Sequence, residues 1–250
     1  RPRNPRSAPH VRVLARPATG ILAIMLIAPR VDSYLQSVLR GDRRLALEII
    51  DAALAGGLAI DVIQEDIVRE SQRRIGALWE RNVISVAEEH MATAITRQVL
   101  THLHEGAIPA VVKDERVLVA CVEGELHDMP ARMVADVLEL AGYDVRFLGA
   151  NVPAQSLPGM LAQFRPDVLA LSVTVAPNLR ALATTIRLAL EQLPSLLFAV
   201  GGRAVSVAGQ LPQVKGAELC SARDARALAN LLDRRFGHAP SFRDATRADA

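Results

Sequence analysis

The sequence predicts an α/β protein in which an N-terminal four-helix bundle cap is followed by a doubly wound parallel sheet. In residues 31–105 the apolar positions recur at helical spacing, whereas beyond residue 116 short apolar runs alternate with amphipathic stretches. Half of the 250 residues are hydrophobic and 22% are charged, a composition that can bury a substantial core. We therefore expect most of the chain to fold.

Four helices account for the first of these regions. They are predicted from Asp32 to Arg40, from Asp42 to the glycine pair at 56 and 57, from Ile60 to Glu80 and from Ser85 to His104. Ser85 and Glu88 have the spacing of a capping box, in which each side chain satisfies a backbone N–H near the start of a helix. Because the connections are short, neighbouring helices are predicted to run antiparallel in a bundle.

Four short apolar runs are the predicted strands. They occupy residues 117–122, 145–148, 168–173 and 196–200, and amphipathic stretches at 131–141, 154–164 and 179–193 lie between them. Parallel strands need crossover connections, which place helices on both faces of the sheet. The second region is therefore predicted to be an open, Rossmann-like sheet domain.

The domain boundaries follow from these patterns. We predict a disordered basic extension at 1–30, the cap at 31–105, a linker at 106–115, the sheet domain at 116–236 and a disordered tail at 237–250.

Composition excludes several classes of protein. The net charge is only +2, and five Phe, two Tyr and one Trp are too few for a nucleic-acid stacking platform. The apolar run at 21–28 is far shorter than the roughly 20 residues that cross a bilayer. The two cysteines form no C-x-x-C pattern, which favours the reducing cytoplasm.

Candidate binding residues lie at the predicted carboxyl ends of the strands, where open parallel sheets bind their ligands. They are Glu125, His127 and Asp128 after the first strand, Ser172 and Thr174 after the third, and Gly201 and Gly202 after the fourth. His127 could bind a transition metal while Glu125 or Asp128 accepts its other ring N–H. A plain surface loop would explain the same histidine.

A second candidate group lies on the bundle. Nine residues, which include the turn between the third and fourth helices, separate Trp79 from Glu89 and His90. The three side chains are therefore expected near one end of the bundle, where they could cover a flat ligand. A core tryptophan beside a solvated Glu89-His90 face is the alternative.

Together the two groups resemble the cobalamin-binding region of the CarH-type photoreceptors and AerR-like regulators. In that family a four-helix cap carries Trp, nine residues and then Glu-His, and a Rossmann-like domain carries Glu-x-His-x-x-Gly. The first motif is present here as Trp79, Glu89 and His90, and the second begins as Glu125-Leu126-His127. The resemblance covers about residues 31–236 in the same domain order.

The resemblance implies a cobalamin cofactor, with His127 as the lower axial ligand of cobalt and Glu125 or Asp128 as the partner of its imidazole. It places the nucleotide tail along Ser172, Thr174, Gly201 and Gly202. Trp79, Glu89 and His90 would lie against the upper ligand, for which adenosyl is favoured. Loss of that ligand in light would then free the cap to move, as in a two-state switch.

The implied function is a cytoplasmic, non-enzymatic, light-responsive cobalamin sensor that controls transcription through a protein partner. Nothing in the sequence resembles a helix-turn-helix, so neither direct DNA binding nor membrane association is expected. Cap faces of this kind can pair, so a homo-oligomer is compatible with the sequence. A corrinoid carrier of a methyltransferase system is the alternative, because it shares the domain layout and the axial histidine.

Two positions depart from the family pattern. Glu80 stands where the photoreceptors have a histidine that binds cobalt after illumination, so the resemblance does not extend to that product. Pro130 replaces the glycine of the second motif, at a point where the tail must pass closely. The sequence contains no separate attachment motif for haem or for a bilin.

Overall fold

The computed structural model describes residues 21–105, 107, 109, 111–209 and 212–242. The chain divides into two compact units, residues 1–110 and residues 111–250. Residues 1–20 of the predicted extension and residues 243–250 of the predicted tail lie outside the described residues. The disordered tail predicted from residue 237 is wrong for its described part, because Phe242 is 8% exposed and exchanges two hydrogen bonds with the side chain of Asn230.

The first unit is helical. Its elements are α1 (Ile21–Leu39), α2 (Arg43–Ala55), α3 (Ile60–Val62), a π-helical stretch (Ile63–Arg69), α4 (Glu70–Glu80) and α5 (Val86–His104). Since α3, the π-helical stretch and α4 follow one another without a break, the described residues contain the four predicted helical segments. Helix α1 packs against α2, α4 and α5, and α2 and α4 also contact α5. These contacts are those of a four-helix bundle.

The start of α1 corrects one prediction. The helix begins at Ile21, so residues 21–30 are helical and not part of a disordered extension. The apolar run upstream of Pro29 consists of Ile, Leu, Ala and Met, most of which favour helix. Pro29 lies within the helix, although proline lacks the N–H that would complete the helical hydrogen bonding.

Side-chain caps define two of the later helix starts. The Ser85 hydroxyl accepts the N–H of Glu88 at 3.2 Å, and the Glu88 carboxylate accepts the N–H of Ser85 at 2.7 Å. This confirms the predicted capping box of α5. The Asp42 carboxylate caps α2 by accepting the N–H of Leu45 at 2.9 Å.

The second unit contains a parallel sheet. Its strands are β1 (Arg116–Cys121), β2 (Asp144–Phe147), β3 (Val168–Ser172), β4 (Leu197–Gly201) and β5 (Glu218–Cys220). The helices of this unit are α6 (Met129–Leu140), α7 (Leu157–Phe164), α8 (Leu179–Gln192), α9 (Arg203–Ala208) and α10 (Ala225–Phe236). All strand pairs are parallel, in the order β2-β1-β3-β4-β5, which confirms the predicted doubly wound sheet.

This strand order fixes where a ligand can bind. The chain first adds β2 on one side of β1 and then returns to add β3 on the other side. Connections that leave neighbouring strands in opposite directions open a crevice beyond the carboxyl ends of β1 and β3. Cys121 and Ser172 are paired in register at the ends of these two strands, so the loops that follow them meet at this crevice.

Among the described residues, no helix is both long enough and apolar enough to cross a membrane.

A buried ion pair ties the last helix of the second unit to the segment before β1. The Lys113 ammonium lies against the carboxylate of Asp233, and the exposed fractions of the two side chains are 4% and 0%. Asp233 also accepts the hydroxyl of Tyr143 at 2.8 Å and the N–H of Ser241 at 2.7 Å. The charge on Asp233 is therefore fully compensated inside the protein, as a buried charge must be.

Lys113→Met should destabilise the protein by about 3–5 kcal/mol, because it leaves the Asp233 carboxylate buried without its counter-ion. The matched control is Arg235→Met, which breaks the exposed pair with Glu218 and should cost less than about 1 kcal/mol. Urea unfolding followed by circular dichroism measures both changes. Equal losses in the two variants would contradict the role assigned to the buried pair.

Candidate functional site

The loop after β1 carries a histidine anchored on a buried carboxylate. The Glu125 side chain is fully buried, whereas 60% of the His127 side chain is exposed. The Nδ1 atom of His127 lies 2.6 Å from Oε1 of Glu125, and the same oxygen accepts the N–H of His127 at 2.9 Å. The ring is therefore fixed through Nδ1, which leaves Nε2 available as a metal ligand.

The second oxygen of Glu125 binds the loop after β3. Its Oε2 atom accepts the N–H of Thr174 at 2.6 Å, the N–H of Val175 at 3.2 Å and the side-chain amide of Asn178 at 3.4 Å. One carboxylate thus joins the loops that flank the crevice. We call Glu125 and these hydrogen-bond donors the carboxylate joint.

The donors of this joint favour the ionised form of Glu125. Burial raises the pKa of the carboxyl group, but hydrogen bonds from the N–H groups of His127 and Thr174 and from the His127 ring outweigh burial. The pKa of Glu125 therefore lies below its ordinary value.

The loop after β2 also forms hydrogen bonds with the loop after β1, which carries His127. Asn151 accepts the N–H of Gly124 through its side-chain oxygen at 2.8 Å and donates its own N–H to the Glu125 carbonyl at 2.8 Å. Gly124 has a φ of +81°, and a Cβ there would lie 2.9 Å from Oδ1 of Asn178. Sequence reasoning missed the roles of Gly124, Asn151 and Asn178, although asparagine and glycine at strand ends are typical of specialised turns.

Asp128 and Pro130 begin α6. Asp128 occupies the N-cap position without a capping hydrogen bond from its side chain, and the hydrogen bond to His127 predicted for Glu125 or Asp128 is made by Glu125. Pro130 is exposed in the first turn of the helix, where its missing N–H leaves no helical hydrogen bond broken.

Ser172, Thr174, Gly201 and Gly202 lie at the carboxyl edge of β3 and β4. Ser172 is 8% exposed and pairs in register with Gly201. A Cβ on Gly201 would meet no atom within 4 Å, so the backbone borders open space there. At Gly202, with a φ of +104°, a Cβ would lie 2.2 Å from the Val173 carbonyl oxygen, and only glycine fits.

The predicted cap residues lie in the first unit. Trp79, at the end of α4, is 46% exposed and is therefore not the core residue of the alternative interpretation. Glu89 and His90 lie near the start of α5, where Nδ1 of His90 is 2.6 Å from Oε2 of Glu89. Val83 and Val86, between these positions in the sequence, are 63% and 53% exposed, so this end of the bundle presents an apolar surface.

Candidate metal ligands are sparse. The described residues contain no group of three or more His, Cys, Asp and Glu side chains that could hold a metal ion. Cys121 lies near the site, with Sγ 3.8 Å from the His127 carbonyl oxygen, but burial raises the pKa of its thiol to about 12. His127 thus offers one ligand, which suits a metal that is already coordinated on its other sides.

Comparison with known proteins assigns both units to one class. Models of the B12 binding domain match residues 30–104 and residues 115–231. The solved structure of the monomethylamine corrinoid protein of Methanosarcina barkeri matches with a TM-score of 0.67 at 17% identity, covering 85% of this chain and 99% of that one. This likeness confirms the fold. The two units define a cobalamin-binding protein, and the chain belongs to the B12-binding family.

The similar proteins include transcriptional repressors and corrinoid proteins. The HTH-type transcriptional repressor CarA of Myxococcus xanthus is 35% identical over 119 residues, which cover 48% of this chain and 41% of the repressor. CarH of the same organism is 26% identical over 181 residues, which cover 70% and 60%. Trimethylamine corrinoid protein 2 of Methanosarcina acetivorans is 26% identical over 187 residues, which cover 72% and 82%. The chain thus spans less than two thirds of either repressor.

Glu125→Gln should destabilise the protein by about 2 kcal/mol near pH 7, because an amide cannot accept all of the hydrogen bonds of the carboxylate joint. A carboxyl group whose pKa is lowered by folding stabilises above its unfolded pKa of about 4.3 and ceases to do so below its folded pKa. The difference between wild type and variant should therefore shrink as the pH falls below about 4.

Urea unfolding at a series of pH values measures this difference. Glu48→Gln is the control, because the Glu48 side chain is 56% exposed and pairs with Arg44 at the surface. A stability difference for Glu125→Gln that stays constant across this pH range would show that the carboxylate is not held in its ionised form.

Proposed function

We propose that the protein is a light-responsive regulator that uses adenosylcobalamin and controls transcription through a protein partner. The observation that carries this proposal is the exposed Trp79 near the end of α4, followed by the paired Glu89 and His90 near the start of α5, on a bundle that matches a B12 binding domain. The similarity to CarA and CarH, which are named as transcriptional repressors, supports the regulatory role.

In this proposal His127 is the lower axial ligand of cobalt. The carboxylate joint meets the two requirements of such a ligand, since it fixes the imidazole and keeps Nδ1 occupied while Nε2 is free to bind. Ser172 and the open space beside Gly201 would accept the nucleotide tail, Thr174 would line its path, and Gly202 would let the backbone approach closely.

Trp79, Glu89 and His90 would cover the upper ligand. The indole offers an apolar plate, and the Glu89 carboxylate offers acceptors for hydroxyl groups. When bound, adenosylcobalamin supplies a cobalt–carbon bond that light can break. A bundle whose exposed apolar end is stabilised only by the intact ligand would then change its conformational population after illumination. Because Glu80 stands where the family has a second histidine, the proposal does not include a product in which two histidines bind cobalt.

The second candidate function is a corrinoid carrier of a methyltransferase system. It is supported by the similarity to trimethylamine corrinoid protein 2 over 82% of the length of that protein. A carrier must present cobalt to its partner enzymes, however, and a tryptophan over the upper face would obstruct this access. The exposed Trp79 therefore favours the regulator.

His127→Ala should weaken cobalamin binding at least about tenfold and abolish the absorption spectrum that histidine ligation produces. His102→Ala is the matched control, because His102 contacts Asp51 on the bundle and has no role in the proposed site. Spectroscopic titration with adenosylcobalamin in the dark measures both variants. Unchanged affinity and spectrum in His127→Ala would refute the axial assignment.

Illumination of the adenosylcobalamin-loaded protein with green light should change its absorption spectrum together with its hydrodynamic size or oligomeric state. Trp79→Ala should still bind cobalamin through His127, but with a smaller change in size, since the plate over the upper ligand is lost. Absorption and light scattering before and after illumination measure these changes. Photolysis without any change in shape or assembly would exclude a light sensor, and the carrier would then be favoured.

A further inference from the structure

A chain of side-chain hydrogen bonds runs from Glu89 into the interior of the bundle. The Thr93 hydroxyl lies 2.7 Å from Oε1 of Glu89 and 3.4 Å from Oε1 of Gln72. The Gln72 amide donates to the Thr96 hydroxyl at 2.6 Å, and this hydroxyl lies 3.0 Å from that of Tyr34. We call these five residues the polar chain.

The polar chain joins three helices. Glu89, Thr93 and Thr96 are spaced by four and three positions on α5, so they lie along one face of that helix. Gln72 reaches this face from α4, and Tyr34 reaches it from α1. The orientation of Glu89 is thereby linked to the packing of α1, α4 and α5.

Burial fixes the inner end of the chain. Tyr34 and Thr96 are both 0% exposed, and a buried hydroxyl without a partner is costly, so their hydrogen bond holds both side chains in place. Gln72 uses its amide N–H₂ toward Thr96 and its amide oxygen toward Thr93. Because the hydroxyls of Thr93 and Thr96 can each donate or accept, Gln72 can bond both of them in either orientation of its amide, and it therefore links the buried Thr96 to Thr93.

The outer end of the chain holds a carboxylate by both oxygens. Thr93 binds Oε1 of Glu89, and Nδ1 of His90 binds Oε2 at 2.6 Å. Two carboxylate oxygens offer about four acceptor positions, so Glu89 retains acceptors for further donors. A Cβ on Gly76, which follows Gln72 by one helical turn and precedes Trp79 by three residues, would meet no atom within 4 Å. This face of α4 therefore has open space between Gln72 and Trp79.

We propose that Thr93 and Gln72 are positioning residues that orient Glu89 as an acceptor for a hydroxyl-bearing upper ligand. They thereby determine selectivity for an upper ligand that carries a ribose, such as adenosyl, over small ligands such as methyl or hydroxide. This inference rests on the proposed cobalamin site. It adds that selectivity originates in the interior of the bundle, through a threonine and a glutamine that need not touch the ligand.

The test is a titration in the dark with adenosylcobalamin, methylcobalamin and hydroxocobalamin. Thr93→Val keeps the shape of the side chain but removes its hydroxyl, and it should lower the ratio of adenosylcobalamin affinity to hydroxocobalamin affinity about tenfold. Thr101→Val is the matched control on the same helix, because the Thr101 hydroxyl donates to the Arg97 carbonyl at an exposed position. This control should keep the wild-type ratio.

Two further variants separate positioning from general destabilisation. Thr93→Ser retains a hydroxyl and should restore the wild-type ratio, whereas Gln72→Met removes both hydrogen bonds of the amide and should lower the ratio as Thr93→Val does. Because the readout is a ratio for one protein sample, partial unfolding lowers both affinities and leaves it unchanged. A ratio that stays at the wild-type value in both Thr93→Val and Gln72→Met overturns the proposal.

The same titration distinguishes this proposal from the light-sensing function. If light has no effect on the protein but Thr93→Val lowers the affinity ratio, the positioning role is supported and the light-sensing function is refuted. If the wild type prefers adenosylcobalamin and Thr93→Val keeps this preference, only the positioning role is refuted. A wild type that binds all three cobalamins equally contradicts both.

Discussion

The site in the sheet domain depends on one buried carboxylate. Glu125 lies at the crevice that the strand order opens, and its two oxygens bind the loop after β1 and the loop after β3 at the same time. Sequence and topology bring these loops together, but only an acceptor with two oxygens can satisfy the N–H groups that both direct at this point. The ionised carboxylate is stabilised by the donors it organises, and it fixes the His127 ring through Nδ1 while 60% of that side chain stays exposed. The packing of the two loops and the orientation of the His127 ring therefore depend on the same group.

The helical unit also contains a carboxylate held by hydrogen bonds, but here the series of hydrogen bonds is longer. Glu89 is also a carboxylate held by both oxygens, but its support reaches the buried Tyr34 through two threonines and a glutamine. Buried polar groups are costly when a partner is lost, so such a chain responds as a whole to a change at its exposed end. A ligand that binds Glu89 in only one state of the bundle can shift its population, which is what a sensor requires. Each unit thus contains a carboxylate that its own hydrogen bonds hold through both oxygens.

The fold was predictable because the apolar residues of long segments recur at one regular spacing. Helical spacing over residues 31–105 and repeated strand–helix units afterwards gave the two domains, whereas the six-residue α9 is too short to show a period. Apolar spacing cannot distinguish the π-helical stretch from an α-helix, and prolines upstream concealed the start of α1. The pairing of Glu125 with His127 is local and was predictable. Thr174 lies 49 positions from Glu125 and Gln72 lies 24 from Thr96, so the carboxylate joint and the polar chain required the tertiary structure.

We propose that the imidazole held by Glu125 becomes the lower ligand of cobalt. Electron paramagnetic resonance of the protein loaded with cobalamin in its paramagnetic Co(II) form tests it most directly, because the nuclear spin of the axial nitrogen splits the cobalt signal. The protein is prepared with unlabelled histidine and with ¹⁵N-labelled histidine. We predict that the three-line splitting of ¹⁴N becomes the two-line splitting of ¹⁵N in wild type, and that neither splitting from protein nitrogen is present in His127→Ala. A splitting that does not change with the histidine label would show that the axial nitrogen belongs to the cofactor and that His127 is not the lower ligand.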